Sequence, residues 1–447
     1  MTAGGLAARI EAREAEVGVI GLGYVGLAAM VTIAGAGHRV TGLEVRADRV
    51  AAINAGRSPI DGDEPELADL LADVLAAGRI RASTDPGALA GCDVVLICVE
   101  TPVGADRRPR YEALLSACES LGPVLAQGAL VVVESTVAPA TTTCLVQPAL
   151  ERAAGGLEGE RFHLGHCPER VMPGRLIHNM RRMDRVLGAS SPAAAGAMRA
   201  LYGSFVEGRL DDADPLTAEL VKTAENAYRD VQIAFANELA LICERAGADV
   251  WRVRELVNRS PGRNVLLPGS GVGGHCIPKD PWLLASVLGP DAGDSLLAAA
   301  RRVNDSMPAH CAELAIGLLE EHGVAPDGAR IAVLGLSYLE ESDDTRNSPT
   351  AVLVPLLRRA GCGVTLHDPF VPGCAGDVVE AARGADCIIA MVAHREYRQI
   401  DPGALAAAMR HPLLVDTRAV FDRAALERAS FSCRALGVAV PTAEGPR

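Results

Sequence analysis

Short apolar runs separated by helix-forming stretches are the dominant pattern in the first part of the chain. Such runs occupy residues 17–20 (VGVI), 93–99 (DVVLICV) and 129–133 (ALVVV), and residues 38–43 (HRVTGL) are predicted to form a further strand. Brief, nearly continuous apolar segments are typical of parallel strands that are buried on both faces. Because these strands alternate with predicted helices, the pattern predicts an α/β fold with a doubly wound sheet.

The same alternation returns from about Ala329 onward. Strands are predicted at residues 331–334, 363–366, 386–392 and 412–415. This part of the sequence contains no G-x-G-x-x-G motif, the turn that doubly wound sheets use to bind dinucleotides. We therefore expect a second doubly wound domain that need not bind a dinucleotide.

Between the two patterns, residues 214–257 are predicted to be helical throughout. The segment is apolar on more faces than the surface helix of a monomer requires, which predicts a hinge or a dimer interface. Lys222, Asn226 and Arg229 lie at i, i+4 and i+7, so they share one stripe that either binds an anionic ligand or is simply solvated. The recurring apolar positions of the segment are Leu220, Ala224, Ala227, Val231, Ala234, Phe235 and Leu239.

Composition argues against several classes of protein. The chain has 447 residues, of which 49% are hydrophobic and 22% charged, so we expect two or three folded domains rather than disorder. Its net charge of −13 argues against general binding to nucleic acids or acidic membranes. The 12 cysteines lack zinc-type spacing, which predicts reduced thiols, a cytoplasmic location and no metal site. No apolar run is long enough to span a membrane, and residues 1–16 do not have the pattern of a secretory signal.

The motif Gly21-Leu22-Gly23-Tyr24-Val25-Gly26 follows the first predicted strand and opens a predicted helix. In this context it predicts a dinucleotide site, in which the glycines permit a tight turn and the helix N-terminus receives the pyrophosphate. Glu44 ends the second predicted strand, where an acid commonly binds the adenosine ribose. Its charge should repel a 2′-phosphate and favour NAD over NADP, a preference that Arg46 and Arg49 nearby would moderate.

Cys276 lies within the segment Gly271-Val272-Gly273-Gly274-His275-Cys276-Ile277-Pro278-Lys279-Asp280. Glycines ahead of the thiol would let a substrate carbon approach the sulfur, and Lys279 would favour the thiolate. Asp280 could hold a water molecule or orient a neighbouring group. The alternative is an inert cysteine that packs in a core, which is the commoner fate of this residue type. A reactive thiol combined with a nucleotide site predicts oxidation through a covalent thioester.

Several longer motifs occur along the chain in a fixed order. They are GLGYVG at 21–26, Thr101-Pro102, Glu134-Ser135-Thr136, Cys167-Pro168-Glu169-Arg170, AELVKTAENAY at 218–228, GVGGHCIPKDP at 271–281, NDSMP at 304–308 and DDTRNSP at 343–349. In these motifs and their order the chain resembles the UDP-glucose/GDP-mannose dehydrogenase family over nearly its whole length.

The resemblance implies two Rossmann-like doubly wound domains joined by a long central helix and a helical dimerisation region. The implied domains are an NAD-binding domain at 1–205, a central domain with the cysteine at 206–310 and a UDP-sugar-binding domain at 311–447.

The resemblance also implies roles for individual residues. Cys276 resembles the nucleophile, while Lys222 and Asn226 resemble groups that assist proton transfer and stabilise an oxyanion. Asp280 and Thr136 resemble the residues that hold the hydrolytic water. Glu169 resembles a carboxylate that lies at the sugar. The residues implied to contact NAD are Gly21, Gly23, Tyr24, Val25, Gly26, Glu44, Arg49, Thr101, Thr136 and Arg346. The residues implied to bind the substrate are Glu169, Arg170, Val171, Lys222, Asn226, Arg229, Arg263, Gly273 and Arg418.

The reaction implied by the resemblance is a four-electron, NAD-dependent oxidation of the C6 hydroxyl of a UDP-sugar to a uronate. Residues 166–177 (HCPERVMPGRLI) and 184–188 (DRVLG) are most similar to members that oxidise UDP-N-acetylmannosamine. UDP-glucose and UDP-N-acetylglucosamine are alternative substrates. From a different class, a catalytically impaired nucleotide-sugar binding protein is the other alternative. A homodimer is the expected assembly.

Two positions depart from the pattern of the family. Leu339 stands where a lysine usually follows the Gly-Leu-x-Tyr of the third domain, so a cation expected near the substrate is missing. Arg418 is a candidate to replace that cation. Glu100 stands where a proline usually precedes Thr101, which places a negative charge near the expected path of the nicotinamide. These departures bear on substrate identity and catalytic rate rather than on the fold.

Overall fold

The computed structural model of the chain describes residues 3–60, 62, 64–172 and 174–439. The chain packs into two compact units, the first made of residues 1–225 with 282–289 and the second of residues 226–281 with 290–447. The finer division into three domains at 205 and 310 stays a prediction. Among the described residues, no helix has both the length and the apolar character needed to cross a bilayer.

The described residues of the first unit form one eight-stranded sheet. Its strands are β1 (Glu16–Ile20), β2 (Arg39–Leu43), β3 (Ile80–Ser83), β4 (Val94–Ile97), β5 (Ala129–Val133), β6 (Phe162–His166), β7 (Arg185–Ala189) and β8 (Leu210–Ala213). Their order is β3-β2-β1-β4-β5-β6-β7-β8, and all neighbours are parallel except β6 and β7. The first six follow the Rossmann order, in which the chain reverses direction across the sheet between β1 and β4 and ligands bind at that edge.

Burial on both faces explains the continuous apolar runs of the sequence. Val94 and Leu96 of β4 belong to one core cluster, whereas Val95 and Ile97 belong to another on the opposite face. The four predicted strands of this unit are confirmed as β1, β2, β4 and β5. The sequence analysis missed β3, β6, β7 and β8, of which β8 has only half-buried and exposed residues and so carries no apolar signal.

Helices cover both faces of this sheet. The N-terminal helix (residues 3–11) packs against the helix of residues 192–202 through the buried side chains of Leu6 and Ile10. Arg9 of the same helix forms an ion pair of 2.5 Å with Asp93. The helices are α1 (Ala3–Glu11), α2 (Tyr24–Gly35), α3 (Ala47–Asn54), α4 (Leu67–Ala76), α5 (Glu112–Leu121), α6 (Gln147–Ala154), α7 (Leu176–Arg182) and α8 (Pro192–Tyr202).

The described part of the second unit contains a five-stranded parallel sheet. Its strands are β9 (Arg330–Leu334), β10 (Gly363–His367), β11 (Cys387–Ala390), β12 (Leu413–Asp416) and β13 (Ser432–Ala435). The order β10-β9-β11-β12-β13 is that of a second doubly wound sheet, with its reversal between β9 and β11. Ile331 and Val333 face one core cluster, and Ala332 and Leu334 face the other. The predicted second doubly wound domain is thus confirmed.

The prediction of one continuous helix over residues 214–257 is wrong. The segment forms two helices, because Gly247 adopts a φ of +80° and Asp249 caps the second by accepting from the N–H groups of Trp251 and Arg252. Leu220, Ala224 and Phe235, which the apolar pattern included, are exposed in the single chain. The remaining helices are α9 (Pro215–Ala246), α10 (Val250–Asn258), α11 (Asp280–Ala285), α12 (Leu296–Glu321), α13 (Pro349–Arg359), α14 (Val378–Ala381), α15 (Arg395–Arg398), α16 (Pro402–Ala408) and α17 (Arg423–Arg428).

Candidate active site

The glycine motif forms the turn between β1 and α2 at the reversal of the first sheet. Gly21 has a φ of +86°, and a Cβ at Gly26 would lie 1.8 Å from the carbonyl oxygen of Gly21, so neither position accepts a side chain. At Gly23, by contrast, the nearest atom to an added Cβ is Nη1 of Arg49 at 3.9 Å. The turn therefore closes on itself while leaving space in front of the α2 N-terminus, as a dinucleotide pyrophosphate requires.

Glu44 follows β2 and is almost fully buried beside this turn. Its Oε2 accepts from the Leu22 N–H at 2.9 Å and its Oε1 from the Arg46 N–H at 3.1 Å. Nη1 of Arg49 lies 4.0 Å from the carboxylate, and the Arg46 guanidinium pairs with Asp48 at 2.6 Å. The carboxylate is thus held in place next to the glycine turn, an arrangement that fits the ribose of NAD.

Two further residues of the expected cofactor site meet at neighbouring strand ends. The Thr101 hydroxyl, beyond β4, donates to the carbonyl oxygen of Thr136, beyond β5, at 2.5 Å. The hydroxyl of Tyr24 in the glycine motif bonds Glu64, and Val25 packs against the core below the turn. Thr136 does not cap a helix, because the next helical segment begins five residues later, at Thr141.

A buried ion pair joins Glu169 and Lys222. The lysine ammonium lies 3.7 Å from Oε1, and both side chains are about nine-tenths buried. The other oxygen, Oε2, accepts from the Val171 N–H at 2.5 Å. Burial, with a smaller effect of the Lys222 charge, lowers the pKa of the neighbouring His166 to about 3, which shows how strongly these surroundings disfavour an uncompensated charge.

Arg170 is already paired. Its guanidinium forms a two-pronged contact with Glu225 at 2.6 and 3.0 Å, and its third donor reaches the carbonyl oxygen of Asp184 at 2.5 Å. Sequence reasoning missed Glu225, although its position one turn after Lys222 on the same helix was a usable signal.

Two buried carboxylates that the sequence analysis did not assign support these strand-end segments. Glu134 accepts from the Tyr202 hydroxyl at 2.5 Å and lies 3.9 Å from the Arg185 guanidinium, and burial raises its pKa despite that cation. Glu219 of α9 accepts from the N–H groups of Ala140 and Thr142 at 2.6 and 2.7 Å. Both contacts join residues far apart in the sequence, so no local pattern announces them.

The glycines before Cys276 pack closely against Tyr338, a requirement that the sequence did not show. A Cβ at Gly273 would lie 2.4 Å from that of Tyr338, and one at Gly274 would lie 2.9 Å from the ring of the same tyrosine. Gly274 has a φ of +84° and donates its N–H to the carbonyl oxygen of Arg346 at 2.8 Å. Cys276 itself is half-buried.

Asp280 begins the helix that follows Cys276 and donates its N–H to the Cys276 carbonyl oxygen at 2.9 Å. Its carboxylate accepts from the Asn226 side chain at 2.6 Å, and Nζ of Lys279 lies 2.8 Å from the other oxygen. Asp280 thus contacts Asn226 through its side chain and Cys276 through its backbone. Lys279, expected to favour the thiolate, directs its ammonium group to Asp280.

Lysine itself is rare in this chain. Lys222 and Lys279 are the only lysines among its 43 basic residues, all the others being arginine. An ammonium group can lose a proton near neutral pH when it is buried, whereas a guanidinium group does not. Each of the two lysines pairs with a buried carboxylate of the candidate site.

The other predicted substrate and cofactor residues are more scattered. Arg418 is half-buried and packs against Gly269, its buried Nε has no hydrogen-bond partner among the described residues, and desolvation lowers its pKa. Arg346 pairs with Asp344 at 2.6 Å. The predicted substrate residues Arg229 and Arg263 are exposed. Glu100 and Leu339, the two departures from the family pattern, are exposed as well.

Comparison with known proteins identifies the family. Its NAD binding domain matches residues 15–206, its central domain residues 216–306 and its UDP binding domain residues 332–423. The chain belongs to the UDP-glucose/GDP-mannose dehydrogenase family. It is an NAD-dependent nucleotide-sugar dehydrogenase, which confirms the expected family, enzyme class and cofactor.

Individual relatives cover almost the whole chain. UDP-N-acetyl-D-mannosamine dehydrogenase of Pyrococcus horikoshii is 40% identical over 402 residues, which are 90% of this chain and 95% of the relative. A solved structure of the UDP-D-ManNAc dehydrogenase of that organism has a TM-score of 0.88 and 38% identity over 94% of this chain and 99% of that one. The NDP-N-acetyl-D-galactosaminuronic acid dehydrogenase of Methanosarcina mazei has a TM-score of 0.84 and 35% identity over 97% and 98%.

The environment of Glu44 predicts the choice of cofactor. We expect the wild-type enzyme to prefer NAD over NADP in kcat/KM, because the fixed carboxylate repels a 2′-phosphate and the nearest guanidinium groups are already paired. Glu44→Gln should narrow the NAD-to-NADP ratio by about tenfold or more, since like charges brought together cost several kcal/mol. Equal use of NADP by the wild type would show that Arg46 or Arg49 dominates the site instead.

Proposed function

We propose that this enzyme oxidises the C6 hydroxyl of UDP-N-acetyl-D-mannosamine to the carboxylate, giving UDP-N-acetyl-D-mannosaminuronate. The observation that supports the proposal is the position of Cys276 directly before Asp280, whose N–H donates to the Cys276 carbonyl oxygen and whose carboxylate accepts from the Asn226 amide. A thiol so placed suits an oxidation that passes through a covalent thioester. The substrate is proposed from the relative of Pyrococcus horikoshii.

The reaction removes four electrons in two oxidations, for which two molecules of NAD serve as hydride acceptors. In the first oxidation the alcohol loses a hydride and a proton and becomes an aldehyde. The Cys276 thiolate then adds to the aldehyde carbon, and the resulting thiohemiacetal loses a second hydride to become a thioester. Water attacks the thioester carbon and releases the carboxylate and the thiol. Because the intermediate stays attached to sulfur, the aldehyde need not be released.

Each polar neighbour has a role in these steps. Lys222 takes part in proton transfer at the substrate hydroxyl and stabilises the negative oxygen that forms at C6, and Asn226 donates to the same oxygen. Asp280 and Thr136 hold the hydrolytic water. Glu169, whose charge is balanced by Lys222, contacts the sugar and takes part in acid–base steps.

The remaining predicted residues are proposed to bind the nucleotide sugar. Arg170, Val171, Arg229, Arg263 and Gly273 contact it directly. Arg418 replaces the cation that Leu339 does not provide, and its buried, unpartnered Nε supports a role with an anionic group such as a phosphate. The division into three domains is also part of the proposal. Residues 1–205 bind NAD, residues 206–310 carry the cysteine, and residues 311–447 bind the UDP-sugar.

UDP-glucose and UDP-N-acetylglucosamine remain alternative substrates, and a binding protein without turnover remains the alternative of another class. Purified enzyme should be given each UDP-sugar in limiting amount with excess NAD. Two NADH per sugar from one substrate only would identify both the activity and the substrate. One NADH per sugar would contradict the thioester route, and none with any sugar would favour the binding protein.

We also propose a homodimer and a cytoplasmic location. Tyr228, Phe235 and Ile242 are 66%, 55% and 54% exposed and lie seven residues apart on α9, so they form one apolar stripe along the helix. An apolar stripe of this kind supports pairing with a second copy of the chain. The cytoplasmic proposal rests on the cysteines, for which the described structure shows no disulfide pairing.

The covalent route makes Cys276→Ser informative. We expect near-complete loss of NADH formation with NAD binding retained, because an alkoxide leaves less readily than a thiolate and any ester should persist. Cys144→Ser, which alters an exposed thiol, should behave as the wild type. Turnover by Cys276→Ser at the wild-type rate would refute the nucleophile assignment.

Lys222→Ala tests the oxyanion role. Losing one donor to a developing oxyanion typically lowers kcat by about 10²–10³-fold, and we expect this loss to exceed any rise in KM. Lys222→Arg should recover less than the full rate, because arginine keeps the charge but does not transfer a proton. An effect on KM alone would mean that Lys222 only binds the substrate.

The dimer proposal is tested by charge insertion into the α9 stripe. Phe235→Asp should shift the mass measured by light scattering at micromolar concentration from dimer towards monomer, because it places a charge within an apolar interface. Val352→Asp is the matched control, since Val352 is 52% exposed on α13 and should leave the mass unchanged. A monomeric wild type would contradict the proposal.

A further inference from the structure

One carboxylate of the first unit connects the cofactor turn to the segment that follows β6. Glu64 accepts a hydrogen bond from the hydroxyl of Tyr24, the first residue of α2. The same carboxylate accepts from the Gly174 N–H at 2.8 Å and from the Leu176 N–H at 3.1 Å. Its three donors thus come from two segments separated by about 150 residues of sequence.

One end of this connection lies at the expected cofactor site, and the other lies near the residues proposed to bind the nucleotide sugar. Tyr24 starts α2 at the end that receives the pyrophosphate of a dinucleotide. Leu176 starts α7, and the residues shortly before it include Glu169, Arg170 and Val171, which are proposed above to contact the nucleotide sugar. Glu64 thus joins the first residue of α2 directly to the segment proposed to contact the sugar.

The chemistry of these bonds makes the connection an energetic one. The N–H groups at the start of a helix have no partner within the helix and need one outside it. A carboxylate satisfies them better than a neutral acceptor, because hydrogen bonds to a charged group are roughly twice as strong. Glu64 is half-buried, so water competes for these donors only in part.

We propose that Glu64 is a positioning residue that couples cofactor binding at Tyr24 to the order of residues 169–176, so that bound NAD raises the affinity for the nucleotide sugar. The proposal rests on the proposed function in so far as it assigns the sugar to residues 169–171. By linkage the effect is reciprocal, and bound sugar raises the affinity for NAD by the same factor.

The first test measures the KM for UDP-N-acetyl-D-mannosamine at several fixed concentrations of NAD. In the wild type this KM should fall as NAD approaches saturation. In Glu64→Gln it should be about tenfold higher, the effect of weakening a charged hydrogen bond, and it should no longer depend on NAD. The kcat at saturation should change by less than about threefold, because Glu64 contacts no reacting atom.

The neighbouring acid provides a matched control. Glu66 is exposed and also contacts α7, through Arg181 at 3.4 Å, but it bonds neither Tyr24 nor the backbone of the sugar segment in any contact described. Glu66→Gln should keep the wild-type KM and its dependence on NAD. Tyr24→Phe should resemble Glu64→Gln, and the double variant should be no worse than either single one, since both remove the same connection. Additive effects of the two changes, or equal effects of Glu66→Gln, would overturn the proposal.

A second test needs no nucleotide sugar. Hydrogen exchange of peptides covering residues 174–182 should slow when NADH binds to the wild type. The slowing should vanish in Glu64→Gln and Tyr24→Phe while peptides covering residues 21–35 remain protected by NADH. Protection of residues 174–182 in both variants, or its absence in the wild type, would refute the coupling.

The two tests separate this inference from the proposed function. If no UDP-sugar is oxidised but the exchange pattern is as expected, the substrate proposal fails and the coupling stands. If a UDP-sugar is oxidised normally but hydrogen exchange at residues 174–182 does not change on NADH binding, the coupling proposal is wrong and the proposed function stands. Should Glu64→Gln not fold, Tyr24→Phe decides the outcome, because it keeps the carboxylate and removes only the hydroxyl.

Discussion

Burial of the parallel strands on both faces is the constraint on which the placement of most polar groups in this enzyme depends. A strand such as β4 or β5 has no solvated face, so its polar chemistry can begin only where the strand ends. Thr101 and Thr136 meet because they follow neighbouring strands of the same sheet. Glu44 reaches the glycine turn for the same reason.

A second constraint follows from the first, because charges that lie so deep in the protein need partners. Lys222 has Glu169, and Lys279 has Asp280. Such pairs cost desolvation energy, and removing one partner is far more damaging than removing both. The free protein therefore holds its reactive groups in compensated pairs, and a substrate must offer contacts that compete with those already present.

Much of the architecture could be predicted because its signals are local. Apolar runs predicted both sheets, and the spacing from Gly21 to Glu44 predicted the cofactor. Strands β6 and β7 were missed because their runs are interrupted by polar or glycine residues, such as His163 and Gly188. The break of the long helix at Gly247 was missed because a single glycine within a helical pattern does not by itself end a helix.

The candidate site was only partly predictable, for a related physical reason. Motifs located Cys276, Lys222 and Asp280, but not what each side chain contacts. The partners of these groups, and the supporting carboxylates Glu134 and Glu64, come from distant parts of the sequence and are selected by packing. The glycines before Cys276 are an example. The sequence shows that glycine occupies these positions, but not that Tyr338 leaves no space for a side chain there.

The scarcity of lysine has a practical consequence. With side-chain amines at only two positions, each about nine-tenths buried, the exterior of the protein is almost inert towards amine-directed reagents. Acylating labels, aldehyde cross-linkers and reductive methylation have these two lysines and any α-amino group as their amine targets, while guanidinium groups supply the positive charge of the surface. A reagent of this kind that inactivated the enzyme would therefore act as an affinity probe of two known sites rather than as a general modifier.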